Sequence, residues 1–346
     1  MTAARRSSLF LIFAAALVGA VVLGARLLPA REDGTPRIPT GEFRSVSSLS
    51  VSYDGRPFVF SGRREADGAA GIWEMAIDGP GARLVTRGNG EPADPIYLPD
   101  GRILYSDSVA ADRTGVENAR ALYSCRDDGS EAARLTFGAH ADGRPEMLPD
   151  GRVLFERRYS SPITERASIR MTIHPDGTQV AFHDDGTLSG MTASEPGTPR
   201  ARPPILTSVV SADRHTGTLL CLDAYASRLP VVAALPRGAI RTVVVTRANE
   251  GAGGEILGEA RVHPDGSFFI EVPADVALRL TLLGEDRRPL ASLDSGVWVR
   301  ANENRGCIGC HEEPDLAPEN RRPLAIAEPP VSYLRPSSNV GVAHDH

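Results

Sequence analysis

Lysine is missing from this chain: all 38 basic residues among its 346 are arginine. No side-chain amine is therefore on offer as an iron ligand or a Schiff-base nucleophile; we read the absence itself as coding bias. Positive charge is also in deficit, with a net charge of −6 and a pI near 5.8. Without a basic stripe, nucleic acid is excluded as a partner. Methionine ends at Met191, so nothing beyond it supplies a thioether ligand. Cysteine is scarce: only Cys125, Cys221, Cys307 and Cys310 occur. No phosphate-binding glycine loop, His-Glu-X-X-His helix or Gly-X-Ser-X-Gly elbow occurs. What remains is a globular composition, 41% hydrophobic and 24% charged, long enough for two domains.

One long apolar run is present, from Leu9 to Ala25, preceded by Arg5 and Arg6 and closed by Arg26. A charged flank before such a run reads as an export signal, and its length sits at the lower edge of a membrane span. Residues 1–30 are thus expected to be a signal peptide or an N-terminal membrane anchor. The rest of the chain would be exported, either periplasmic or anchored and facing the periplasm.

Beyond a Pro36- and Pro39-containing stretch, a repeat emerges. Tyr97-Leu98-Pro99-Asp100-Gly101-Arg102-Ile103-Leu104-Tyr105 returns 50 residues later as Met147-Leu148-Pro149-Asp150-Gly151-Arg152-Val153-Leu154-Phe155. A weaker copy surrounds Asp54-Gly55, and a third set of strands leads to Asp176-Gly177. Asp-Gly supplies a tight turn, and the flanking apolar and aromatic residues suit strands. Units of four strands and this length are blades of a β-propeller. They resemble the repeats of TolB-type propellers, with their Pro-Asp-Gly turns. Residues 43–190 are read as about three blades, fewer than closure needs, so a partner completing the propeller is one expectation. A plain antiparallel sandwich is the competing reading.

A Pro-, Arg- and Thr-rich linker over 191–204 follows, then a β-rich region over 205–335 and a tail over 336–346. Strands are expected at Thr218–Ala224, Ile240–Thr246, Ile256–Val262, Ser267–Val272, Leu278–Leu283 and Val297–Arg300, as a small sandwich. The fold class is mainly β throughout.

The chemistry is concentrated at Cys307-Ile308-Gly309-Cys310-His311. Two thiols three positions apart can add to two vinyl groups on one porphyrin edge, with the adjacent histidine under the iron. By composition the pattern arises by chance about once in a thousand such chains. A redox Cys-X-X-Cys, a structural zinc or a plain disulfide are the other readings. The first wants a thioredoxin-like βαβ setting, the second a further ligand pair, and the third leaves His311 without a role. One covalent haem c is expected, on Cys307 and Cys310, with His311 as axial iron ligand. Arg305, Arg321 and Arg322 are candidate propionate partners. His263, His215, His140, His344 and His346 are candidates for the sixth ligand, or that position is open. Export permits a Cys125–Cys221 disulfide, and two buried thiols are the alternative.

The motif in its context, Asn304-Arg305-Gly306-Cys307-Ile308-Gly309-Cys310-His311-Glu312, is similar to the middle domain of the hydrazine synthase alpha-subunit family. So are Gly266-Ser267-Phe268-Phe269-Ile270-Glu271-Val272-Pro273-Ala274-Asp275 and Ala317-Pro318-Glu319-Asn320-Arg321. The resemblance implies a haem held through the positions of Cys307, Cys310 and His311. It departs where the family's synthase has a tyrosine four residues past the motif histidine: here stands Asp315. The chain also contains a single Cys-X-X-Cys-His, so the resemblance implies a haem domain more than hydrazine synthesis itself. An electron-transfer or redox-relay role, with a redox partner protein, is the first functional expectation. A haem enzyme with an open iron, acting on a small nitrogen or oxygen species, is the alternative.

Overall fold

The computed structural model describes residues 43–65, 68–76, 81–88, 90–109, 119–159, 168–183, 198–227, 229–248, 254–309 and 321–332. The export segment, the tail, Cys310 and His311 lie outside them. So do Glu312, Glu313 and Asp315, together with His344 and His346.

Each sequence repeat is a four-stranded antiparallel unit. In the first, β1 (Ser45–Val51), β2 (Pro57–Arg63), β3 (Gly71–Ala76) and β4 (Ala82–Thr86) pair in chain order. The second holds β5 (Ala93–Tyr97), β6 (Ile103–Ser108), β7 (Arg120–Cys125) and β8 (Ala133–Arg134). The third holds β9 (His140–Met147), β10 (Val153–Tyr159), β11 (Ser168–Ile173) and β12 (Ala181–Phe182), and one parallel bridge from Arg120 to Ala141 joins it to the second. Five of the turns between strands share one chemistry. Asp54, Asp100, Asp128, Asp150 and Asp176 each accept the backbone N–H two residues on, at 2.8–3.1 Å. The glycine after each has a φ between 76° and 92°, which a side chain would resist.

Two of these glycines also allow one unit to rest on the one before it. A Cβ on Gly129 would stand 2.0 Å from the Val85 carbonyl oxygen, and one on Gly177 would stand 2.9 Å from that of Leu135. The inner strands β1, β5 and β9 each carry a bulge with a left-handed residue, Ser48, Asp94 and Arg144. Asp94 ties all three: its carboxylate accepts from the Ser48 hydroxyl at 2.8 Å and the Arg144 N–H at 3.3 Å. Tyr53, Ile72, Tyr105 and Tyr123 fill the space between the first two units; Leu98, Leu122, Phe155 and Ile173 fill the next.

The second region is a sandwich of two four-stranded sheets. One has the order β19 (Asn304–Cys307), β13 (Thr216–Cys221), β16 (Phe268–Pro273), β20 (Val331–Ser332). The other runs β15 (Ile256–Arg261), β14 (Thr242–Arg247), β17 (Leu278–Leu283), β18 (Pro289–Val297). Alternation decides the buried faces: Leu219 and Cys221 of β13, Phe268, Ile270 and Val272 of β16, Val243 and Val245 of β14 all enter one core. A single turn of helix, α1 (Pro230–Ala233), packs beside it. The mainly-β architecture expected from sequence, propeller-like repeats followed by a sandwich, is present.

The strand expected at Val297–Arg300 is a correction. Only Val297 belongs to β18; Trp298, Val299 and Arg300 leave the sheet, and the strand entering the motif is β19. The physical reason is a set of contacts to the repeats. Trp298 is 1% exposed inside the core between the second and third units. It lies 5.2 Å beneath the Arg157 guanidinium, which makes a buried two-bond ion pair with Asp142 at 2.8 Å. Arg300 donates to the Arg134 carbonyl, and the buried Glu303 accepts the Gln179 N–H at 3.0 Å. The linker is likewise held over its described part: Arg200 N–H donates to the Tyr53 carbonyl, and Pro204 closes on Gly151.

Candidate functional site

Three strand ends meet where the motif begins. Cys307 is the last residue of β19 and stands in register with Cys221, the last of β13, whose other neighbour is Phe268, the first of β16. The ladder continues past the strands: Leu222 N–H donates to the Cys307 carbonyl at 2.9 Å and Asp223 N–H to that of Ile308 at 3.1 Å. Gly309 lies so close to the 222–226 segment that a Cβ would fall 1.8 Å from the Ala226 carbonyl oxygen. Gly306 is exposed, and a Cβ there would meet nothing within 4 Å. The first half of the motif is thus clamped through its backbone. Cys307 is half-buried, its side chain against the sandwich core.

A polar cluster sits at the same end. Arg237 grips the Asp223 carboxylate at 2.8 and 2.6 Å and donates to the Asp265 carbonyl at 3.0 Å. Arg321 donates to that carbonyl at 3.0 Å and lies 3.9 Å from Asp223. The Asp265 carboxylate accepts from Leu324 N–H at 2.9 Å, from the Ser267 hydroxyl at 2.7 Å and from Ser267 N–H at 3.0 Å. Burial works to raise the Asp265 pKa; these bonds and the Arg321 charge outweigh it and hold the carboxyl below its usual range. The chain leaves this end at Gly309 and returns to it at Arg321, pinned by the Asp265 turn.

The sequence-predicted residues separate in space. Cys307 and Arg321 belong to this end. Arg305 reaches the other way: its guanidinium donates to the Trp298 carbonyl at 2.8 Å and to the Val180 carbonyl at 3.2 Å. Arg322 is exposed. His263 begins the turn that carries Asp265 and so lies at the motif's end of the sandwich. His215 precedes β13 at its opposite end, about 20 Å along the strand, and His140 is buried in β9 of the repeats. Cys125 and Cys221 fall in separate cores, and neither they nor Cys307 form a disulfide in this structure; burial pushes the Cys125 thiol up to about 11. Sequence reasoning missed Cys221 as a neighbour of the motif, together with Asp223 and Arg237. Asp265-Gly266 has the residue types of a turn, and nothing in its sequence marks it as an anchor.

What the described residues offer a covalently held haem is a half-buried thiol at a sheet end, with the exposed Arg321 at the same end for a carboxylate. Among the described residues no group of three His, Cys, Asp or Glu side chains forms a metal cage. A separate cleft of about 210 Å³, lined by Ser47, Ser61, Arg63, Glu91 and Arg120 between the first two repeats, contains no motif residue.

Residues 228–312 match the family model described as the hydrazine synthase alpha subunit middle domain. Over 78 residues the chain is 33% identical to hydrazine synthase subunit alpha of Kuenenia stuttgartiensis, an alignment covering 20% of this chain and 10% of that protein. The solved structure of Kuenenia stuttgartiensis hydrazine synthase shares the fold, with a TM-score of 0.70 over 83% of this chain and 66% of that one, at 16% identity. A putative TolB from Agrobacterium tumefaciens aligns over 43% of this chain and 52% of its own, at 26% identity and a TM-score of 0.36. The likeness to the hydrazine synthase alpha subunit, read from the motif and its surroundings, thus holds in sequence for the middle domain, and the fold of hydrazine synthase is shared over most of the chain.

Proposed function

We propose that this chain is an exported protein of the hydrazine synthase alpha kind, carrying one haem c and acting through its iron on a small nitrogen or oxygen species. Cys307 and Cys310 would hold the haem by thioethers, His311 would ligate the iron, and Arg321 is the arginine placed for a propionate. When bound, the haem supplies a redox-active iron able to take a small ligand. The protein's own contribution is to fix the attachment point: β19, the 222–226 clamp and the Asp265 anchor hold both ends of the motif segment. The observation that carries the proposal is the backbone clamp on Cys307, Ile308 and Gly309, at one end of a domain that matches the hydrazine synthase alpha middle domain. The N-terminal sequence pattern is consistent with it: an export signal there would deliver the chain to the compartment where such haems are attached.

The test is an optical spectrum of the protein made in a host competent for cytochrome maturation. A pyridine haemochrome that stays with the polypeptide after acid acetone is expected, and a carbon monoxide complex of the reduced protein marks an open iron. A colourless polypeptide refutes the haem. A second reading, electron transfer to a redox partner through a six-coordinate iron, is favoured by His263 at the motif's end of the sandwich. Haem that refuses carbon monoxide in the wild type and accepts it in His263→Ala would establish that reading in place of the first.

A further inference from the structure

The motif's first cysteine has a neighbour that its sequence position conceals. Cys221 and Cys307 are 86 residues apart in the chain and directly opposite in the parallel pair β13–β19. Both side chains are on the core face: Cys221 is 2% exposed within the sandwich core, and Cys307 packs against that core. Adjacent strands run about 4.7–4.9 Å apart, inside the window of about 4.4–6.8 Å that Cα atoms of a disulfide occupy. Cys125 lies apart in the repeat core, and Cys221 and Cys307 are not joined by a disulfide in this structure.

We propose that Cys221 and Cys307 form a reversible disulfide in the haem-free chain, so that the first attachment thiol is masked until it is reduced. The oxidant is an external disulfide of the glutathione or thiol-oxidase class. Cys307, the more accessible sulfur, attacks it as thiolate, giving a mixed disulfide and releasing one thiol. The Cys221 thiolate then attacks the Cys307 sulfur and releases the second thiol. Two protein thiols lose two protons and two electrons, and the external disulfide gains them as two thiols. Directly opposed parallel positions hold their Cβ atoms near the strand spacing, wider than the mean of about 3.8 Å in disulfides, which makes the bond strained and easily reduced. The bond stands on the register alone; its effect on haem attachment rests on the proposed function.

The experiment uses the full chain made without haem and equilibrated with glutathione disulfide, then cleaved after arginine under non-reducing conditions. A peptide from His215 to Arg228 joined to one from Gly306 to Arg321 is expected, in wild type and in Cys310→Ser, and lost in Cys221→Ala. A bond confined to Cys307 and Cys310, or no cross-link in Cys310→Ser, overturns the proposal. In a maturation-competent host kept oxidising, Cys221→Ala should load haem severalfold better than wild type. Absence of haem from both proteins would count against the proposed function, while the peptide map still decides the disulfide.

Discussion

A methyl group is enough to probe the motif's geometry. Gly309→Ala would drive a Cβ to 1.8 Å from the Ala226 carbonyl oxygen, so the strand-end clamp must open. Haem incorporated per polypeptide should fall severalfold, measured by pyridine haemochrome against protein mass. Gly306→Ala, whose Cβ meets nothing within 4 Å, should load as the wild type does. Equal losses in both variants would show that the clamp is not what positions the cysteines. Asp265 gives a prediction of pH dependence. Its folded pKa lies below the ordinary aspartate value of about 3.9. Its contribution to stability is therefore complete above that value and lost as pH falls through the folded one. Below about pH 4 the thermal midpoint of the wild type should drop more steeply than that of Asp265→Asn. Parallel curves would mean that the Leu324, Ser267 and Arg321 contacts do not favour the carboxylate.

At the scale of the element, the Asp-Gly turn shows what sequence can and cannot announce. The turns at Asp54, Asp100, Asp150 and Asp176 were visible as strings, because aspartate and glycine are dictated locally, by an acceptor for the N–H two residues on and by positive φ. What each glycine faces is not local. Gly101 at φ 92° has open space around it, whereas Gly129 at φ 83° abuts the Val85 carbonyl of the preceding unit. Gly101→Ala should cost only the left-handed penalty of about 1–2 kcal/mol. Gly129→Ala adds a backbone collision and should cost clearly more, as read by urea unfolding. The same limit explains the other misses. The strand expected over Val297–Arg300 had the right residue types, but Trp298 and Arg300 are claimed by the repeats. Cys221 gave no signal toward Cys307, because a parallel pair 86 residues apart leaves no periodicity to read. Ser48, Asp94 and Arg144 share a bulge position with no side-chain type in common.

For the whole molecule the decisive contact is one indole. Trp298 belongs by sequence to the sandwich and by packing to the core between the second and third repeat units, with Phe137 at 6.1 Å and the Arg157 guanidinium over its ring. Arg300, Glu303 and Arg305, all within the next seven residues, bond to Arg134, Gln179 and Val180 of the repeats. The segment that fastens the two regions together is therefore the one that delivers the chain into β19 and the motif. Rigid fastening makes unfolding of repeats and sandwich cooperative, since neither can open without exposing the other's buried surface. Trp298→Ala removes a fully buried aromatic side chain at a cost of about 3–5 kcal/mol. That loss falls on the interface, while the sandwich core of Leu219, Phe268 and Leu280 and the repeat core of Ile72 and Tyr105 stay intact. Calorimetry should accordingly resolve one heat-absorption peak in the wild type into two in Trp298→Ala. A variant that still melts in a single peak, only at lower temperature, would place the coupling in the linker over Tyr53 and Gly151 instead.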